Sequence, residues 1–231
     1  MLREAATREA AMLDLFTAAT TNGQRASLAV LESGLPYRLH HVDLGRGEHK
    51  TPAYLAMHPN GAVPAMIDQE GPGGPLVFTQ SAEIAWYVLE KAGRLIPRDP
   101  RCLVMARQWS AFITTDLYPP FADMYFMLWA RPQPHRDAAA IFEATMVRRF
   151  GLLDAHLAGS RHLVGEDYGV ADVVAYPMTV LAVRDFPQLG DLPHLRRWQQ
   201  EIARRPAVIE AMGWFEGTGP ELERAPGEPA A

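Results

Sequence analysis

A proline at the head of an apolar strand constrains this chain more than any other feature. In the run His58-Pro59-Asn60-Gly61-Ala62-Val63-Pro64-Ala65-Met66-Ile67, a turn dipeptide leads at once into Val-Pro and then into apolar residues. Proline cannot donate to a sheet ladder, so Pro64 fits the first residue of a strand and is a candidate for a cis bond in a tight bend. Such a bend leaves the N–H and C=O of Val63 without partners in their own sheet. A short extended peptide lying antiparallel beside them would satisfy both groups through main chain alone. An ordinary buried turn produces the same string, so its use stays open at this point.

The segments around the pivot read as alternating strand and helix. Met12 to Phe16 reads as a first strand and Thr17 to Gly23 as a loop. A helix follows with Asn22 as its N-cap, Leu28, Leu31 and Leu35 at helical spacing, and Gly34 with Pro36 as its stop. Tyr37 to Leu44 alternates as a second strand. Its His40 and His41 point to opposite faces and cannot share a metal. Gly45-Arg46-Gly47 lacks the third glycine of a dinucleotide loop. Thr51-Pro52 opens a short helix ending near Met57. Ala65 to Asp68 and Leu76 to Thr79 form a hairpin across the turn from Glu70 to Pro75, and Gln80-Ser81 opens a helix with Ile84, Val88 and Leu89 on one face. This order places a small mixed sheet between helices, an α/β layer architecture.

Residues 94–101 read as a linker, and beyond them the chain changes character. Residues 103–129, 137–158, 170–186, 193–204 and 207–215 carry helical patterning with no convincing strand, which predicts an all-α second domain. Pro119-Pro120 should break or kink the first of these helices. In Tyr168-Gly169-Val170-Ala171-Asp172-Val173, Asp172 can reach back to the Gly169 N–H as the third residue of a capping box, with Tyr168 and Val173 as a hydrophobic staple. That is folding machinery, and Asp172 receives no catalytic role. The expected division is a leader at 1–11, an α/β domain at 12–93, the linker, a helical domain at 102–215 and a disordered tail at 216–231.

Composition excludes several kinds of partner. With 22 basic against 27 acidic residues in 231, the net charge is -5, and no basic stripe is present to follow a nucleic-acid backbone. No apolar run approaches the roughly 20 residues of a membrane helix, and the charged start is not signal-like, which points to the cytoplasm. The single cysteine, Cys102, rules out an internal disulfide, a paired-cysteine redox motif and a multi-cysteine zinc site. Any thiol chemistry must borrow a sulfur. No metal is expected.

The Asn60-Gly61-Ala62-Val63-Pro64 turn, the Gln80-Ser81 helix start and the Gly169 to Asp172 segment occur in an order and spacing that resembles the cytosolic glutathione transferases. The resemblance covers about residues 12–215. Thr20-Thr21-Asn22-Gly23-Gln24-Arg25 and Val42-Asp43-Leu44-Gly45-Arg46-Gly47 are similar to the nu-type bacterial branch, whose members act as glutathione-dependent disulfide-bond reductases. The resemblance implies a thioredoxin-like N-terminal domain, a helical-bundle C-terminal domain and a homodimer.

It also implies roles. Val63, with Pro64 behind it, would pair main chain to main chain with the cysteinyl part of glutathione. Ser81 would hold the γ-glutamyl carboxylate at a helix N-terminus, and Gln80, where the family usually has Glu, would accept from the γ-glutamyl ammonium. Thr20 and Asn22 would stabilise the thiolate of bound glutathione. Ser81 and Asn22 could instead serve only as helix caps, and Arg25 reads as a solvated charge. The arginine this branch often carries in its second long C-terminal helix has no counterpart near Ile141 to Thr145. The aromatic stripe Tyr118, Phe121, Tyr125, Phe126 and Trp129 could line a substrate pocket or serve core or subunit contact. The implied reaction is reduction of small disulfides. Conjugation of glutathione to electrophiles, or a glutathione-binding regulatory protein like a yeast relative of the branch, are the alternatives.

Overall fold

The computed structural model describes residues 12–128 and 133–214 and the backbone of 223–224. The expected leader, Trp129 and the rest of the expected tail lie outside these residues. The chain divides into two compact units, one of residues up to Arg94 together with those from Pro206 onward, the other Leu95–Arg205. The helix Pro206–Gly213 therefore groups with the first unit and not with the helices it follows in sequence.

In the first unit the strands β1 (Leu13–Thr17), β2 (Tyr37–His41), β3 (Ala65–Asp68), β4 (Leu76–Thr79) and the two-residue β5 (Glu223–Arg224) form one sheet in the order β4-β3-β1-β2-β5. β1 is central because all five of its residues are buried. It runs parallel to β2, with Leu15 opposite Leu39, and antiparallel to β3, with Leu15 opposite Met66. Alternation along β1 puts Phe16 with Val42, Tyr54, Val63 and Ala65 in one apolar cluster. Asp14 shares that face and is buried, so its charge needs partners. His40 Nε2 at 2.7 Å, Gln69 Nε2 at 2.8 Å and Arg38 Nη1 at 3.3 Å supply them. Burial pushes the Asp14 carboxyl up, and these bonds outweigh it and leave it below the usual carboxylate range.

The helices α1 (Thr21–Ser33) and α3 (Ser81–Ala92) pack against each other, and the short α2 (Pro52–Met57) starts at Thr51, whose hydroxyl accepts from the Tyr54 N–H as expected of a Thr-Pro start. α1 ends at Gly34, whose φ of 70° is the left-handed conformation that favours glycine. The hairpin β3–β4 falls where the sequence places it.

The second unit is helical: α4 (Pro100–Ala111), α5 (Tyr118–Leu128), α6 (Arg136–Ala158), α7 (Val170–Asp185) and α8 (Pro193–Ile202). The distortion expected at Pro119-Pro120 lies upstream, as a wide π turn over Phe112–Leu117, and the prolines sit in the first turn of α5. Pro120 has no N–H to give the Asp116 carbonyl four residues back. The Arg149 guanidinium of α6 donates to that carbonyl instead. The Gly169 cap at α7 matches expectation, since Asp172 Oδ2 accepts from the Gly169 N–H at 2.9 Å. Of the aromatic stripe, Phe121 is buried against Phe186, while Tyr125 and Phe126 are exposed.

Candidate active site

Strand register brings three segments to one end of the first unit's sheet. Ala65 pairs with Phe16 on one side and Thr79 on the other. The residues just before β3, just after β4 and just after β1 therefore meet: Val63-Pro64, Gln80-Ser81 and the loop carrying Thr20 and Asn22.

In that loop the cap differs from the sequence expectation. Thr20, in extended conformation, is the N-cap of α1, and its Oγ1 accepts from the Gly23 N–H at 2.9 Å. Asn22 lies inside the first turn, because the turn closes so tightly that a Cβ on Gly23 would stand 2.1 Å from the Ala18 carbonyl oxygen. The cap bond uses a lone pair of Thr20 and leaves the hydroxyl its proton.

Asn22 turns its Oδ1 toward Arg25, whose Nη1 donates at 2.8 Å. The same Nη1 donates to Ser81 Oγ at 2.7 Å, and Ser81 Oγ donates to Asn22 Oδ1 at 3.2 Å. Arg25 is only 2% exposed, which corrects its reading as a solvated charge. Asn22, three residues earlier on the same helix, offers one acceptor that local spacing could suggest, but the second, Ser81, comes from 56 residues away.

At the pivot the Val63–Pro64 bond is cis and Val63 is buried. The loop before it is tied down by two side chains the sequence reading passed over. Tyr54 Oη donates to the Ala62 carbonyl at 2.8 Å, and Lys50 Nζ donates to the carbonyls of Gly61 at 2.6 Å and Asn60 at 3.3 Å. Burial pushes the Tyr54 phenol well up, so it remains a donor. The next residue, Val63, makes no hydrogen bond through its N–H or C=O to any of the described residues. Ser81 is the first residue of α3 and is buried, and its N–H is among the first-turn donors that no helix carbonyl can reach. Gln80 is exposed and holds a φ of 74°, a conformation side-chain-bearing residues rarely adopt.

Cys102 lies in the second unit, in the first turn of α4, where the hydrogen bond to Asp99 pushes its thiol up. Among the described residues no group of side chains is placed to hold a metal ion, and no helix is long and apolar enough to cross a membrane.

A sheet of this order followed by an all-helical unit is the architecture of the glutathione transferases. The family models for the glutathione S-transferase N-terminal and C-terminal domains match residues 21–91 and 118–206. A disulfide-bond oxidoreductase, YfcG of Escherichia coli, is 31% identical over 203 residues, covering 87% of this chain and 94% of that protein. Glutathione S-transferase F9 of Arabidopsis thaliana is 29% identical, covering 83% of this chain and 92% of that one. A glutathione transferase from Pseudomonas putida, crystallised with one glutathione disulfide per subunit, superposes with a TM-score of 0.82 at 27% identity, covering 91% of this chain and 94% of that one. The chain belongs to the glutathione S-transferase family and is an enzyme of that family.

Proposed function

We propose that this protein reduces small disulfides with the thiolate of bound glutathione. The observation that carries the reading is the hydrogen-bonded junction of Asn22 with Ser81, 59 residues apart, which joins the first turn of α1 to the start of α3. In this reading Val63 pairs with the cysteinyl main chain, Ser81 and the first-turn N–H groups of α3 hold the γ-glutamyl carboxylate, and Gln80 accepts from the ammonium. Lys50, beside Gly61, supplies a cation for the glycine carboxylate. The thiol then lies over Thr20 and Asn22, whose hydroxyl and amide protons favour its ionised form.

The thiolate attacks one sulfur of a disulfide R–S–S–R, forming the mixed disulfide G–S–S–R and releasing RS⁻, which takes up a proton. A second glutathione thiolate attacks the mixed disulfide, giving glutathione disulfide and a second thiol. The disulfide is reduced and two glutathiones are oxidised. No residue of the loop after β1 can form a mixed disulfide, and the hydrogen bond to Asp99 favours the Cys102 thiol over its thiolate.

The deciding experiment measures glutathione-dependent turnover of a small aliphatic disulfide and of an aryl halide side by side. Disulfide turnover is expected to dominate, to fall in Thr20→Ala and Asn22→Ala, and to persist in Cys102→Ser. Dominant conjugation would move the protein to the transferase alternative, and an obligatory glutathione adduct on Cys102 would overturn the mechanism. A homodimer in the cytoplasm completes the proposal. The family supports the dimer, exposed Val104 and Ile141 give the second unit apolar surface for subunit contact, and sedimentation of the purified protein tests it.

A further inference from the structure

The buried guanidinium of Arg25 has no part in the mechanism above. A charge at 2% exposure is tolerated only when it is paired, and the partners here include two residues of the proposed site. It also lies near the N-termini of α1 and α3, where both helix dipoles disfavour a cation. A hydrophobic or neutral side chain would suit the position better if stability alone mattered.

Two features of hydrogen-bond chemistry give Arg25 a specific task. First, a guanidinium only donates, so the Asn22 atom that faces it at 2.8 Å must be the carbonyl Oδ1. The amide Nδ2 is thereby turned away from Arg25. Without that donor the amide could flip and present a lone pair where the thiolate needs a proton. Second, Ser81 has one hydroxyl proton, and in this structure it serves Asn22 Oδ1 at 3.2 Å. A carboxylate arriving at Ser81 competes for that same proton. Once Ser81 donates to the carboxylate, Asn22 loses this donor, and Arg25 keeps it in place.

We infer that Arg25 is the positioning residue of this site, holding the Asn22 amide with its N–H side toward the glutathione sulfur while Ser81 is engaged by the γ-glutamyl carboxylate. The inference rests on the proposed binding mode and adds to it a coupling between the two ends of the ligand. Arg25 acts through Asn22, and it needs no contact with the sulfur.

The test compares wild type, Arg25→Met and Arg25→Lys, each also in an Asn22→Ala background, by ultraviolet titration of the bound glutathione thiolate and by kcat and KM for glutathione. Arg25→Met is expected to raise the thiol pKa by about one unit, which leaves about tenfold less thiolate at neutral pH, and to lower kcat by a similar factor. KM should rise less than kcat falls. Arg25→Lys, which keeps a charged donor, should recover part of the loss. In the Asn22→Ala background neither substitution should move the pKa further. A wild-type pKa and kcat in a folded Arg25→Met protein would overturn the inference. So would an equal shift in both backgrounds, since the charge would then act directly on the sulfur. If Arg25→Met does not fold, Arg25→Lys decides: a raised pKa with near-normal KM supports the role, and an unchanged pKa overturns it. A wild-type protein that neither binds glutathione nor lowers its thiol pKa would instead overturn the binding mode, and the role of Arg25 with it.

Discussion

The starts of α1 and α3 in the first unit and of α7 in the second draw on the same stock of polar residues and end in opposite states. At α7, Asp172 is fully buried and accepts from the Leu163 N–H at 3.0 Å, the Gly169 N–H at 2.9 Å and Trp198 Nε1 at 2.7 Å. The carboxyl is enclosed by its own protein, and burial pushes it up against the pull of these three donors. At α1 and α3 the cluster of Thr20, Asn22, Arg25 and Ser81 is rich in donors and contains no carboxylate. A thiolate and a carboxylate are what such a cluster would accept. Polar residues at a helix start mark a binding site when their donors exceed their acceptors, and a structural cap when the two balance.

The sharpest way to break this contrast is to remove one residue from each side. Asp172→Ala leaves the buried Leu163 and Trp198 N–H groups and the half-buried Gly169 N–H without an acceptor and should destabilise the fold by about 4 kcal/mol. Asn22→Ala removes one acceptor from the buried Arg25 guanidinium but leaves it Ser81 Oγ, so it should cost only about 2 kcal/mol, with disulfide turnover down about tenfold. Urea unfolding alongside the disulfide assay reads both. Equal losses of stability would mean that the Asn22 cluster is another structural cap.

The two glycines at these helix starts sharpen the same point. A Cβ on Gly23 would meet the Ala18 carbonyl oxygen at 2.1 Å and Thr17 Oγ1 at 2.6 Å, so Gly23→Ala must displace backbone and should cost about 3 kcal/mol. Gly169 has an extended backbone at φ −144°, and its Cβ would stand 3.4 Å from the Leu95 carbonyl oxygen, an ordinary contact. Gly169→Ala should cost no more than about 1 kcal/mol. Comparable denaturation midpoints for the two variants would contradict the tight closure of the first loop.

What the sequence made legible was set by neighbours in the chain. The hairpin of β3 and β4, the Thr51-Pro52 helix start and the Gly169–Asp172 cap each depend on residues within a few positions of one another, and each is found where expected. The placement of Val63, Gln80 and Ser81 at one sheet end follows from that hairpin's register. What was missed depends on distant partners. Arg25 is buried because Ser81, 56 residues away, accepts from it. The π turn lies before Pro119 because Arg149 reaches the Asp116 carbonyl from another helix. Thr20 displaces Asn22 as the cap because Gly23 must pass against Ala18, which no local propensity reports.

A third carboxylate tests whether enclosure alone makes an anion structural. Asp68 is fully buried, and it accepts from Lys91 Nζ at 2.5 Å, Tyr87 Oη at 2.6 Å and the Glu70 N–H at 2.9 Å. Burial pushes its carboxyl up, and these bonds more than offset that, leaving it below the ordinary range. A depressed folded pKa contributes stability that is present above the unfolded carboxylate pKa and lost as pH falls through the folded one. Asp68→Asn should therefore be less stable than wild type by about 2 kcal/mol at neutral pH and converge on it in acid. A gap that stays constant with pH would show that the pair with Lys91 does not set the Asp68 ionisation.

The smallest effect lies at the caps themselves, where residue and conformation are exchanged between the two units. Gly169 sits in an extended backbone that any residue adopts, whereas Gln80, the N-cap of α3, holds a φ of 74° where a glycine would be at home. Such a conformation costs of order 1 kcal/mol and persists only where the surroundings or a ligand use it. If the strain orients the Gln80 side chain toward the ammonium of glutathione, then Gln80→Gly should gain up to about 1 kcal/mol of stability and bind glutathione more weakly. Gln80→Glu keeps the strain and adds a charge, so it should leave stability alone and tighten glutathione by about 1 kcal/mol, roughly fivefold. Thermal unfolding with and without glutathione, with calorimetric affinities, separates the two responses. Unchanged affinity in both variants would mean that the Gln80 side chain does not face the ligand, and the donor-rich cluster at Asn22 and Ser81 would then have to hold glutathione without it.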